Sequence, residues 1–114
     1  MPPRRVLNVR LSVRELTESV DATQGTLVSS WSHVRWQRFA LWPMGPRERE
    51  KLDRACMDAT WHARGRALPA VLDRQRLVSF DDEGAVDMTF TVLKAVSRGA
   101  VQEIYLAEMA EVQS

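Results

Sequence analysis

Side chains able to act as a nucleophile, a base or a soft metal ligand are scarce in this chain of 114 residues: one cysteine, Cys56, and two histidines, His33 and His62. Cys56 and His62 stand six residues apart, which on a helix sends them to nearly opposite sides and rules out a local nucleophile–base pair. No spacing among the three matches a zinc site. Cys56 therefore reads as a small buried apolar residue, and each histidine as structural or exposed. The run Asp81-Asp82-Glu83 offers the oxygen ligands a hard cation takes. Consecutive residues in a tight turn do not converge on one ion, however, and the alternating ligands of a calcium loop are lacking, so the run reads as a solvated turn. There is no Gly-rich phosphate loop, nucleophile elbow or paired His-Glu motif. No catalytic residue is assigned, and no metal or cofactor is expected. In a ligand-binding or enzymatic reading, a pocket between helices and sheet would draw its polar groups from His33, His62, Tyr105 and Asp87.

Aromatic and basic residues offer more. Four tryptophans are present, and Trp31, Trp36 and Trp42 fall within twelve residues, interleaved with Arg35 and Arg38. Such a set can stack on bases or a planar ligand, or it can anchor a core or a subunit interface, where aromatics and Arg are both enriched. The second reading is the one taken, with Trp31, Arg35, Trp36, Arg38 and Trp42 as interface candidates. Charge is polarised along the chain: residues 1–76 carry 14 basic and 8 acidic side chains, whereas residues 77–114 carry 2 and 7. That segregation suits a polyanion, charge complementarity between subunits, or ordinary solvated faces.

The elements that must position these residues are read from periodicity. In residues 6–13, Leu7, Val9, Leu11 and Val13 alternate with Asn8, Arg10 and Ser12, the pattern of a half-buried strand. Ser12 and Glu15 fit a capping box, so a helix with Leu16 and Val20 as its buried stripe is expected next. Gly25 predicts a break near residues 23–26. Residues 27–41 satisfy helix and strand alike; the reading taken is helix to about Phe39. Pro43, Gly45 and Pro46 mark a loop, and Arg47–Arg64 has the apolar stripe of a helix ending at Gly65. Leu68–Asp73 suits one helical turn. From Leu77 onward the texture is that of strands: Leu77–Phe80, a turn at Asp81–Gly84, a strand within Ala85–Val96, a turn at Ser97–Gly99, and a further strand to about Met109, although Ala100–Val112 also admits a helix.

The opening Leu7-Asn8-Val9-Arg10-Leu11-Ser12, followed by Val13 to Gln24 and Gly25, resembles the start of ribbon-helix-helix repressors over about a quarter of the chain. That resemblance implies a dimer whose paired strands enter the DNA major groove, with Asn8, Arg10 and Ser12 facing base edges and Val9 and Leu11 facing the core.

Taken together, the order of elements predicts an α+β fold in which two to three helices pack on one face of a small, mostly antiparallel sheet of about four strands, forming one domain over residues 1–114. A lone cysteine suits a reducing, cytoplasmic compartment, and neither an export signal nor an apolar run of membrane-spanning length is read. The expected function is a non-catalytic binding or assembly module that self-associates, a homo-oligomer with room for another protein partner. A ribbon-helix-helix-like DNA-binding regulator is the alternative, and a small ligand-binding protein or enzyme stands behind it.

Overall fold

The computed structural model describes residues 7–20, 22–45, 47–48 and 58–109. Six strands, β1 (Leu7–Val20), β2 (Leu27–Pro43), β3 (Trp61–Arg66), β4 (Arg76–Phe80), β5 (Val86–Arg98) and β6 (Val101–Glu108), close into a barrel in the order β1-β2-β3-β6-β5-β4. Every neighbouring pair is antiparallel. The fold is all-β, and the expected α+β arrangement is wrong: among the described residues only Arg47 and Glu48 are helical.

The error has a definite physical origin. Leu16 and Val20 are four residues apart, a spacing that marks one face of a helix but, being even, also one face of a strand. The strand of residues 7–13 in fact continues to Val20, with Leu16 and Val20 on the face opposite to that of Leu11 and Val13, so Ser12 is not a helix cap but a buried mid-strand residue. The same ambiguity covers residues 27–41, which are strand throughout. The break expected at residues 23–26 is the turn between β1 and β2, where Gly25 takes a φ of 68° that other residues resist.

The expected helix over Arg47–Arg64 lies partly outside the described residues, Cys56 included, and its C-terminal end is overturned because Trp61–Arg66 forms β3. Gly65 does not stop a helix. It lies where β3 meets β2, and a Cβ there would stand 2.9 Å from Phe39 Cδ1 and 3.0 Å from the Arg38 carbonyl oxygen. Leu68–Asp73 forms no helical turn and belongs to the loop joining β3 to β4. In the C-terminal part, β4, β5 and β6 fall close to the strands read from sequence, and their tight turns use Gly84 and Gly99 at positive φ.

Leu11, Val13, Phe39, Leu41, Ala63, Leu77, Phe90, Val92, Ile104 and Leu106 fill the barrel interior, each almost wholly shielded from water. One end is closed by the β3–β4 loop, held down by polar side chains from the wall. Gln102, 1% exposed, accepts from Val71 N–H at 2.9 Å and donates through Nε2 to the carbonyls of Arg66 (2.7 Å) and Pro69 (2.9 Å). Gln37 Nε2 donates to the Pro69 carbonyl and Arg35 Nη2 to that of Ala70. At the other end Trp61 lies against Phe90, ring centroids 5.8 Å apart, and its indole N–H donates to Glu108.

Candidate interaction face

Two strands outgrow the barrel. β1 pairs with β4 only over Ser12–Arg14, and β2 pairs with β3 only over Ala40–Pro43. Beyond those ladders Glu15–Val20 and Leu27–Ser32 continue as a two-stranded ribbon of about 20 Å, in keeping with a molecule of 59 × 35 × 28 Å. Its register sets Leu16 opposite Trp31 and Val20 opposite Leu27 on one face, with Glu15–Ser32 and Thr17–Ser30 on the other. Val20 is 67% exposed and Leu27 63%. The edge of β1 beyond Arg14 and the edge of β2 from Leu27 to Phe39 carry no ladder partner among the described residues.

A β-bulge decides which side chains share the outward face. The pairing shifts between Val13 and Arg14, so that Val34 of β2 is an extra residue and the parity of β2 changes there. Trp31 and His33, odd-numbered, therefore join even-numbered Trp36 and Arg38 on one continuous surface with Arg10, Ser12, Arg14 and Leu16 of β1. β4 adds Arg76 and Phe80.

The resulting cluster is tightly interlocked. Trp36 packs against His33 (5.1 Å between centroids) and edge-on to Phe80 (5.5 Å). Three guanidinium groups lie over rings: Arg10 over Trp36 at 4.7 Å, Arg14 over Phe80 at 5.6 Å and Arg76 over Trp31 at 3.8 Å. Desolvation lowers the Arg76 pKa from its ordinary value, without removing its charge at neutral pH. Beneath this layer Ser12 and Val78 are buried although their strand positions face outward.

Of the interface candidates read from sequence, Trp31, Trp36 and Arg38 meet on this face. Arg35 turns the other way, onto the β3–β4 loop, where Nε also donates to Gln37 Oε1 at 2.9 Å. Trp42 lies about 20 Å further along β2 from Trp36, its ring tilted against His62 at 4.4 Å between centroids, with Tyr105 against that histidine at 4.7 Å. Asn8 and Arg10 are exposed, as the ribbon-helix-helix resemblance implied, but its architecture is absent: the strand runs into a hairpin, and Ser12 is buried. Sequence reading missed Arg14, Arg76 and Phe80. The alternation in β4 would have placed Arg76 and Phe80 on one face, but only the barrel closure puts that face beside β1.

Two chemical sites can be weighed on this geometry. Ser12 Oγ and His33 Nδ1 stand 2.6 Å apart, a nucleophile–base distance. Ser12 is nevertheless fully buried, so no substrate carbon reaches it. An open groove of about 550 Å³ runs between Ala70–Arg74 of the β3–β4 loop and Ala95 and Ser97 of β5; none of His33, His62, Tyr105 or Asp87 lines it. No group of three or more metal-ligating side chains converges among the described residues, and no helix there is long and apolar enough to cross a membrane.

With this geometry in place, the chain can be set beside known proteins. The fold has a counterpart. The solution structure of protein SF1141 from Shigella flexneri 2a superposes with a TM-score of 0.75 at 16% identity, covering 98% of this chain and 100% of that one. At that identity the likeness concerns the barrel alone. Neither family models nor curated proteins give a match.

Proposed function

We propose that this protein is a non-catalytic assembly module that self-associates, with the β1–β2 ribbon as its contact element. The ribbon is the observation that supports the reading. A two-stranded hairpin is marginally stable in water by itself, yet this one extends beyond the barrel with Val20, Leu27 and Leu16 exposed on one face and Val28 on the other. Open strand edges lie beside them, which natural proteins ordinarily cover, shorten or charge. Docking against another copy would bury the apolar pairs and complete both ladders. The lone cysteine favours a cytoplasmic setting for such a module.

Light scattering on a concentration series tests this. The wild type is expected to form a stable oligomer. A variant in which residues 16–31 are replaced by Asn-Gly, closing the hairpin at the Glu15–Ser32 pair, is expected to be a folded monomer. A monomeric wild type, or equal association of the shortened variant, overturns the proposal. A nucleic-acid reading draws on one observation, the exposure of Asn8, Arg10 and Arg38 on a single face beside Trp36.

A further inference from the structure

The barrel register sets arginine directly opposite arginine twice on the outward face. Arg10 of β1 faces Arg38 of β2, and Arg14 of β1 faces Arg76 of β4. Like charges directly opposite in antiparallel strands are destabilising, and here two such pairs are stacked on one surface about 13 Å apart along β1. Ring contacts hold three of the four guanidinium groups in place. They do not neutralise them, and none of the four arginines forms an ion pair among the described residues. A face of this kind is built to receive anionic groups.

The same chain carries a matching anion. In the β4–β5 turn Asp82 and Glu83 are exposed, and so is Asp87 at the start of β5. Asp81 is committed to the turn itself, its Oδ1 accepting from the N–H groups of Glu83 and Ala85 at 2.9 Å. The carboxylates of Asp82 and Glu83 have no such duty and form no ion pair among the described residues. We infer that the arginine–aromatic face of one copy receives the Asp82–Glu83 turn of a second copy. The inference rests on the self-association proposed above and names a contact within it.

A carboxylate turn fits better than a phosphate polymer for two reasons. First, the acidic turn begins one residue after Phe80, which itself belongs to the face, so a long polyanion laid across the arginines would run into repulsive charge. A compact turn engages only the arginines. Second, Arg10 already lies over the ring of Trp36, which stays 46% exposed, and His33 and Phe80 flank it, so a stacking base would have to compete with the guanidinium for that ring.

Charge exchange on exposed positions tests the contact. Two variants are made, Arg10→Glu/Arg38→Glu and Asp82→Lys/Glu83→Lys, both leaving Asp81 and the barrel interior untouched. Sedimentation analysis at low ionic strength should show each variant alone associating about tenfold more weakly than the wild type, the loss shrinking as salt is raised. An equimolar mixture of the two should regain association, because each then offers the other an opposite charge. If the wild type associates and both variants match it, the contact is wrong while self-association stands. A monomeric wild type removes the underlying reading as well. If the lysine variant associates normally while the wild type, but not the glutamate variant, binds a short duplex DNA at low salt, the face serves a nucleic acid and the inference is overturned.

Discussion

Replacing Val20 and Leu27 by threonine separates the ribbon's role in association from its role in the fold. The two residues face each other across the last pair of the ribbon and are 67% and 63% exposed. Complete burial of a valine or leucine side chain stabilises by about 1.5–3 kcal/mol. Burying the exposed two-thirds in an interface is therefore worth about 1–2 kcal/mol each, or about 3 kcal/mol per copy for the pair. Threonine keeps β-propensity and one methyl group but forfeits most of that gain. Both partners lose the gain, so the association constant, measured by sedimentation equilibrium across a concentration series, should fall by at least about a hundredfold. The melting temperature of the dissociated protein should hold, because neither side chain contributes to the barrel interior. An association constant within about twofold of the wild type would refute the assignment of the ribbon as contact element.

The remaining predictions concern how the barrel is held. Gly65→Ala puts a Cβ 2.9 Å from Phe39 Cδ1 and 3.0 Å from the Arg38 carbonyl oxygen; backbone at that distance cannot swing aside, so thermal unfolding should show a loss of about 1–3 kcal/mol. Gln102→Leu strands the Val71 N–H and the Arg66 carbonyl, which its amide now satisfies, and leaves the Pro69 carbonyl to Gln37 alone. It should cost about 2–4 kcal/mol, and hydrogen exchange at Val71 should accelerate more than at the core amide of Phe90.

Period-two patterns were legible where one face of a strand is wet and the other dry. Leu7 to Val13 alternates cleanly, and β4, β5 and β6 announce themselves through β-branched residues and through glycines at their turns. Apolar residues recur at an even spacing of four in Leu16 and Val20, and in Leu27 and Trp31. That spacing satisfies both periodicities, and the capping-box match at Ser12 and Glu15 points to helix. What decides against it is tertiary: β1 pairs with β2 along its whole length, an energy that no local window contains.

The candidate face shows the same division more sharply. Trp36 and Arg38 could be grouped from sequence because they are two residues apart and share a strand face. Trp31 and His33 have the opposite parity, and a bulge-free strand would have sent them to the other side. One extra residue, Val34, brings them round. Arg76 and Phe80 lie forty or more residues from Trp36, and only the closure of β4 onto β1 delivers them. The arginine pairs follow from that closure too: neither Arg10–Arg38 nor Arg14–Arg76 is a feature of local sequence, and each becomes a like-charge cross-strand pair only once register is fixed. The barrel tolerates them because the rings of Trp36, Phe80 and Trp31 offer a cation a favourable contact within the monomer. A ring lowers the energy of a guanidinium while leaving its charge, so the face is stable enough to fold and still unsatisfied enough to bind.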